Sequence, residues 1–205
     1  MYGIGIIGCG AIAERRHAPE YAADATCRIV GFYDSRAERA EKLAAEYGAR
    51  AFGSMEELLD DPQIDAVSVC TANSTHAEIS IKALQAGKHV LCEKPLATCS
   101  KDVRRMIAAA EKAGRVLMVA QNQRMDPAHR VAKRLLEQGE MGRVLSFQTT
   151  FSHDGPERWI GQKSGAGIWF FDAGQTGFGV LGDLGVHKLD MICWLTGEKI
   201  EKAIA

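Results

Sequence analysis

The chain has 205 residues, with 25 Lys and Arg against 26 Asp and Glu, so its formal net charge is -1. This balance lacks the excess of positive charge typical of proteins that bind nucleic acid or anionic membranes, so we expect small molecules or other subunits as partners. No apolar run is long enough to cross a bilayer and the N-terminus lacks a signal-peptide pattern, from which we expect a cytoplasmic protein. Six scattered cysteines without metal-ligand spacing predict reduced thiols and no metal site.

The first predicted element is a buried strand that breaks into glycines and continues as a helix. Its motif G-x-G-x-x-A occupies Gly8, Gly10 and Ala13. Gly8 permits a tight turn, Gly10 lets the backbone approach a pyrophosphate, and Ala13 allows helix and strand to pack closely. The phosphate would bind N–H groups at the helix start, where Ala11 and Ile12 lie. A glycine turn without a ligand is the alternative, and the motif alone does not decide.

The second predicted strand ends in an acid. Asp34 follows an apolar run and lies 21 residues beyond Ala13. At that distance a carboxylate binds the adenosine ribose hydroxyls and repels a 2′-phosphate, which favours NAD over NADP as the cofactor. Two alternatives stay open, because Asp34 can instead cap the following helix and the Arg36 guanidinium can hold a phosphate.

Helices and apolar strands keep alternating to about residue 120. Strands are predicted at 49–52, 66–70, 88–92 and 116–120, and helices at 37–47, from 54, at 76–86 and at 100–113. Helices that end at glycine, together with strands that lack polar alternation, are typical of a parallel sheet covered on both faces. We therefore predict an α/β fold for residues 1–124, a Rossmann-type doubly wound parallel sheet that binds NAD(P).

Polar residues follow the fourth, fifth and sixth strands, at the edge where such sheets bind ligands. They are, in chain order, Thr71, Asn73 and His76, then Glu93 and Lys94, then Asn122 and Arg124. Each has an ordinary structural explanation, such as a turn, a helix cap or a surface acid. Because one sheet edge brings them together, we expect them to surround a dinucleotide and its substrate.

Beyond residue 125 the pattern changes, which predicts a second region. A helix at 127–138 precedes a stretch at 143–151 whose period of two predicts a strand with one buried face. Residues 152–181 are rich in glycine and include the aromatic residues Trp159, Trp169, Phe170 and Phe171. This stretch is either an irregular loop or a substrate loop with aromatic walls.

A helix predicted at 182–197 brings three polar side chains to one inward-facing stripe. They are Asp183, His187 and Asp190, spaced about one helical turn apart. An imidazole there can accept and return a proton while a carboxylate one turn away orients it. A buried His–Asp pair that serves only packing is the alternative.

Four motifs together make the chain resemble the Gfo/Idh/MocA family of sugar and cyclitol oxidoreductases. They are G-x-G-x-x-A from Gly8, T-x-N-x-x-H from Thr71, E-K-P from Glu93 and D-x-G-x-H-x-x-D from Asp183, in the family's order. The resemblance implies an NAD-dependent enzyme that oxidises or reduces a secondary hydroxyl or ketone of a sugar, inositol or related polyol. A dinucleotide-sensing regulator and an NAD-dependent glycosidase are the alternative functions.

The resemblance also implies individual roles. Lys94 would lie beside the nicotinamide and the reacting hydroxyl, His187 would be the acid/base, and Asp183 would complete the site. Asn73, His76 and Glu93 would line the cofactor, and Asn122 and Arg124 would edge the substrate pocket.

For residues 125–205 the resemblance implies part of an α+β domain with a mostly antiparallel open sheet, which often forms a dimer interface. We therefore expect a homo-oligomer in the full-length protein. The sheet would continue past the last residue, so we expect either a fragment or an incomplete gene product. It would have an exposed apolar remnant after residue 143, poor solubility and impaired catalysis.

Overall fold

The computed structural model describes residues 1–159 and 168–204, without the side chain of Trp159. The predicted substrate wall at Trp159 therefore lies outside the described side chains. Within the described ranges, no helix has the length and hydrophobicity needed to cross a membrane.

Six parallel strands form a sheet whose spatial order is β3-β2-β1-β4-β5-β6. The strands are β1 (Tyr2–Ile7), β2 (Cys27–Tyr33), β3 (Arg50–Ala51), β4 (Ala66–Val69), β5 (His89–Cys92) and β6 (Leu117–Val119). This order is the one found in dinucleotide-binding doubly wound folds, with the reversal between β1 and β4. The predicted Rossmann-type α/β fold is confirmed.

Five helices pack on the two faces of this sheet, namely α1 (Ala18–Ala23), α2 (Ala37–Tyr47), α3 (Met55–Asp60), α4 (His76–Gln85) and α5 (Ser100–Ala113). The helices that follow in the described part of the chain are α6 (Pro127–Glu137), α7 (Pro156–Trp159), α8 (Ala173–Thr176) and α9 (Val186–Thr196). π-helical turns at Ala13–His17 and Leu181–Gly185 lead into α1 and α9, and 3₁₀ turns occupy Asn73–Thr75, Asn122–Met125 and Trp169–Phe171. The ends of α2 and α5, at Gly48 and Gly114, are as predicted.

Two apolar clusters, one on each face, stabilise the sheet. One joins α3, α4 and α5 to strand residues such as Val67 and Val90, and the other joins α1 and α2 to residues such as Ile6 and Phe32. Successive strand side chains point to opposite faces, so the strands of a sheet covered on both sides are apolar throughout. Burial on both faces explains why the strand pattern lacks polar alternation.

The predicted strand at 143–151 has no regular secondary structure. A strand needs a neighbouring backbone for its hydrogen bonds, and none of the described segments pairs with this one. Exposed apolar residues after residue 143 are present, among them Val144, Leu145, Phe147, Phe151, Ile200 and Ile204. The antiparallel sheet of the second domain stays a prediction.

Candidate active site

A cleft of about 1150 Å³ opens at the carboxyl ends of β1, β2 and β4. It lies where the strand order reverses, which is the position of the ligand crevice in open α/β sheets. Six predicted cofactor residues line it, namely Gly8, Gly10, Ala11, Asp34, Arg36 and Thr71. The cleft is also lined by residues of the 152–181 stretch, for which an irregular loop and a substrate loop with aromatic walls are the two interpretations; they are Ile168, Trp169, Phe171, Asp172 and Gln175.

The glycine loop has the geometry that a bound pyrophosphate requires. Gly8 has a φ of +91°, and a Cβ atom there would lie 2.7 Å from the carbonyl carbon and oxygen of Cys70. A Cβ atom on Gly10 would meet no atom within 4 Å, so this backbone faces the open cleft. Since Glu14 N–H donates to the Gly10 carbonyl at 3.0 Å, the helix begins here and exposes its first N–H groups. The loop therefore fits a phosphate group.

Asp34 links the tip of β2 to this loop. Its Oδ2 accepts a hydrogen bond from Cys9 N–H at 2.7 Å, and its Oδ1 accepts one from Arg36 N–H at 2.9 Å. The carboxylate thus both orders the turn before α2 and anchors the glycine loop. Each oxygen accepts only one of these bonds, which leaves lone pairs for ribose hydroxyls in the cleft.

The same end of the cleft carries cationic side chains. Arg36, Arg39 and Lys42 line it together with Glu14, and Lys42 forms an ion pair with Glu14. Guanidinium groups bind phosphate through paired N–H donors. The cleft therefore places both the carboxylate that favours NAD and cations able to attract a 2′-phosphate at one end.

Two residues that the resemblance placed on the cofactor lie behind the cleft wall. His76 is fully buried, with Nδ1 2.8 Å from the Pro95 carbonyl and Nε2 3.1 Å from the Thr71 carbonyl. Burial lowers its pKa, which favours the neutral ring. Asn73 is also buried and donates from Nδ2 to the Thr176 carbonyl at 3.0 Å. Both side chains thus bond to backbone carbonyls of neighbouring loops, and their contact with the cofactor stays a prediction.

Lys94 and Asp183 meet at the carboxyl end of β5. Lys94 Nζ donates to Asp183 Oδ1 at 2.9 Å and to the Asp183 carbonyl at 2.8 Å. Both side chains are largely buried. The expected juxtaposition of these two residues, 89 positions apart in sequence, is present in the structure.

His153 also reaches this pair, which sequence reasoning missed. Its Nε2 lies 3.4 Å from Asp183 Oδ2, and its Nδ1 accepts a hydrogen bond from Gly155 N–H at 3.0 Å. Because Nδ1 is the acceptor, the neutral ring carries its proton on Nε2 and donates it toward Asp183. The surrounding sequence has no periodicity that would have indicated this contact.

His187 is buried, and its Nδ1 has no hydrogen-bond partner in the part of the chain that is described. The predicted carboxylate one turn away does not orient this nitrogen, since Asp183 binds Lys94 and Asp190 binds Arg124. Burial, and then the positive charge of Lys94, lower the pKa of His187 to about 4. The ring is therefore neutral near pH 7 and can accept a proton.

Arg124 anchors α9 to the end of the Rossmann-type sheet. Its Nε and Nη2 donate to the two carboxylate oxygens of Asp190 at 2.8 and 2.5 Å, a bidentate pair. Asn122, in the same 3₁₀ turn, is exposed. The guanidinium expected at the edge of the substrate pocket thus also holds the helix that carries His187.

Metal-ligand and disulfide chemistry is not visible in the described residues. They contain no group of three or more His, Cys, Asp or Glu side chains placed to hold a metal ion. All six cysteines are free, and burial raises the pKa of Cys9 and Cys92 to about 12. These two thiols are therefore protonated near pH 7.

Comparison with known proteins finds similarity along nearly the whole chain. Levoglucosan dehydrogenase of Pseudarthrobacter phenanthrenivorans is 40% identical over 79% of this chain and 42% of its own length. Inositol 2-dehydrogenase 2 of Saccharopolyspora erythraea is 33% identical over 98% of this chain and 56% of its own. The chain thus spans about half the length of the curated relatives it matches.

Solved structures share the fold. A probable dehydrogenase from Thermotoga maritima has a TM-score of 0.82 and 31% identity, covering 97% of this chain and 56% of that one. A 3-ketoreductase from Actinomadura kijaniata in complex with NADP has a TM-score of 0.64 and 34% identity, covering 69% and 45%.

Two family models match the chain in succession. The oxidoreductase-family model with an NAD-binding Rossmann fold matches residues 2–121, and the GFO/IDH/MocA C-terminal domain model matches residues 129–205. Together with the glycine loop and the Lys94–Asp183 contact, these matches show that the chain belongs to the GFO/IDH/MocA family of oxidoreductases.

Proposed function

We propose that this chain binds NAD(P) and supplies reacting residues to an enzyme that interconverts a secondary hydroxyl and a ketone on a sugar, inositol or related polyol. The observation that carries the proposal is the grouping of the largely buried Lys94–Asp183 pair, at the carboxyl end of β5, with the buried ring of His187, whose pKa the Lys94 charge helps to lower. A module that only bound a dinucleotide would not need a buried ammonium–carboxylate pair beside a neutral imidazole.

The residues divide the chemistry among them. His187, neutral because of its lowered pKa, accepts the proton of the substrate hydroxyl during oxidation and returns it during reduction. The Lys94 ammonium polarises the reacting oxygen, and Asp183 holds Lys94 Nζ in place through two hydrogen bonds. Bound nicotinamide would supply the group that accepts or gives a hydride.

For the cofactor we propose NAD as the preferred form, with NADP as a weaker ligand. Asp34 lies at the tip of β2 with lone pairs available for ribose hydroxyls, and its charge opposes a 2′-phosphate. Arg36 and Arg39 at the same end reduce that opposition. The relative from Actinomadura kijaniata is described in complex with NADP, which makes a side-by-side comparison of the two cofactors necessary.

The proposed substrate class follows from the relatives' names, which include dehydrogenases for levoglucosan, inositol and D-glucosides. These compounds share adjacent secondary hydroxyl groups on a ring. A cytoplasmic location, homo-oligomers in the full-length protein and a domain boundary at residue 124 are further parts of the proposal.

The test is a panel of cyclic polyols and sugars assayed by NADH or NADPH absorbance with the complete product of the gene. We expect oxidation of at least one compound, with NAD more effective than NADP. Lys94→Ala and His187→Ala should each lower turnover by roughly 100-fold or more while the dissociation constant for NADH changes little. Lys112→Ala, an exposed residue of α5, is the matched control.

The alternatives give different results. Tight NADH binding without oxidation of any compound would support a dinucleotide-sensing regulator. Hydrolysis of a glycoside without net NADH formation would support an NAD-dependent glycosidase. Unchanged turnover in both variants would refute the assignment of Lys94 and His187.

A further inference from the structure

A buried chain of hydrogen bonds connects the helix after the glycine loop to the end of β5. His17, at the end of the first π-helical turn, places Nε2 2.8 Å from Glu93 Oε1 and Nδ1 2.8 Å from Ser68 Oγ. Tyr21 OH lies 3.1 Å from the same Ser68 oxygen. His17 and Ser68 are 7% and 0% exposed, so water does not compete for these bonds.

Each hydrogen bond in this series has one donor and one acceptor that can be assigned. A carboxylate can only accept, so His17 Nε2 carries a proton and donates to Glu93. In the neutral ring Nδ1 then accepts from the Ser68 hydroxyl, which in turn accepts from Tyr21. Both ring nitrogens of His17 and the Ser68 hydroxyl thereby have hydrogen-bond partners. The ring of His17 has one orientation that satisfies both nitrogens.

Glu93 passes this restraint to the neighbouring residue. Its Oε2 accepts a hydrogen bond from Lys94 N–H at 3.1 Å, and its own N–H donates to the Val69 carbonyl at 2.9 Å. Burial alone would raise the pKa of Glu93, but the hydrogen bond from His17, together with the backbone N–H and the charge of Lys94, lowers it. Glu93 is therefore an ionised side chain in a buried place, and such a charge requires its partners.

The two π-helical turns each contact one residue of the same dipeptide, Glu93–Lys94. The turn Ala13–His17 brings His17 to Glu93, and the turn Leu181–Gly185 brings Asp183 to Lys94. π-helical turns within helices are rare and often occur at functional sites. Here both turns supply the side chain that contacts the Glu93–Lys94 segment.

From this arrangement we propose that His17 is a positioning residue for Lys94. It ties Glu93, and through Glu93 the backbone of Lys94, to the helix whose start forms the phosphate-binding loop. The phosphate-binding loop and the Lys94 ammonium are thereby held in fixed positions relative to each other. The inference rests on the proposed function for its consequence in catalysis, but the positioning itself is a property of the free chain.

The experiment follows the Lys94 side chain directly. The chain is labelled with ¹³C at lysine Cε, and the Lys94 signal is identified by its loss in Lys94→Arg. In the free protein we expect His17→Ala to move this signal more than halfway toward those of exposed lysines, because Lys94 Nζ leaves Asp183. His17→Gln keeps a donor near the position of Nε2. Its Lys94 signal should therefore return at least half of the way to the wild-type position.

A second measurement adds NADH. We expect the wild-type Lys94 signal to shift at saturation and His17→Ala to lose most of that shift, while its dissociation constant for NADH stays within threefold. The matched control is His89→Ala, because His89 accepts a hydrogen bond from Val116 N–H at the opposite end of β5. It should leave the Lys94 signal unchanged.

The outcomes separate the two proposals. A Lys94 signal in His17→Ala that coincides with wild type, or one that His89→Ala moves equally, overturns the positioning role. If His17→Ala fails to fold, Glu93→Gln must produce the same displacement, and an unchanged signal there overturns it as well. If wild type binds no NADH but His17→Ala still displaces the free-state signal, cofactor binding is refuted and the positioning role stands.

Discussion

Replacing Gly10 with alanine should abolish most cofactor binding without destabilising the chain. Gly10 is not among the glycines with positive φ, and its added Cβ would meet no atom within 4 Å. Alanine at a compatible position stabilises a protein by about 0.4–1 kcal/mol, because it reduces the freedom of the unfolded chain. The methyl group would occupy the space where a phosphate approaches the backbone. Losing one charge-assisted hydrogen bond costs about 1.5–3 kcal/mol, or roughly 10- to 150-fold in affinity.

Fluorescence titration with NADH and urea denaturation together measure both effects. Gly53→Ala is the matched control, because Gly53 lies outside the cleft and its Cβ would make only an ordinary contact, 3.4 Å from Glu57 Oε2. Gly8→Ala, unlike Gly10→Ala, should lower folding stability. The positive φ of Gly8 and the close Cys70 backbone make an added Cβ cost about 1–3 kcal/mol or more. NADH affinity within twofold of wild type in Gly10→Ala would refute the phosphate site.

Three further predictions concern stability. His187 has a pKa of about 4 in the folded chain against 6.5 ordinarily, so the unfolded chain binds its proton first as the pH falls. Stability should therefore decline from pH 6.5 to 4 by roughly 1–3 kcal/mol more in wild type than in His187→Gln, as measured by urea denaturation at each pH. Lys88→Met should cost about 1–3 kcal/mol in the same assay, because the buried Nζ donates to two backbone carbonyls that would lose their partner. Arg124→Met and Asp190→Asn should each destabilise the chain by about 1–2 kcal/mol, and the double variant should cost less than their sum if the bidentate pair is one unit.

The Rossmann-type sheet could be predicted because its local signals agree with its tertiary environment. Apolar strands such as the one before Cys70 are buried on both faces, and glycine ends α2 and α5 where the pattern changes. The stretch at 143–151 shows the limit of such reasoning. Alternation describes a strand with one buried face, but it does not supply the neighbouring strand, and the described residues contain none.

The site could be predicted only where spacing along the chain carries the information. The glycine loop, Asp34 and the dipeptide at Lys94 occupy fixed positions after strands, so sequence order locates them at one edge. The direction of a buried side chain depends on long-range partners, as His76 illustrates. Its ring binds the Thr71 and Pro95 carbonyls, and no local pattern distinguishes that role from cofactor contact.

Contacts between residues 1–124 and the region that follows show which part of the site depends on both regions. Lys94 belongs to the first 124 residues but bonds to Asp183, and Arg124 holds Asp190 on the helix that carries His187. The glycine loop makes its own hydrogen bonds within the first region, to Asp34 and to the Tyr33 carbonyl. Weakening the attachment of α9 should therefore disturb the reacting residues while leaving the phosphate loop intact. In Arg124→Met, NADH affinity should stay near wild type while the Lys94 signal moves. A variant that moves the Lys94 signal and also loses NADH affinity would contradict this separation.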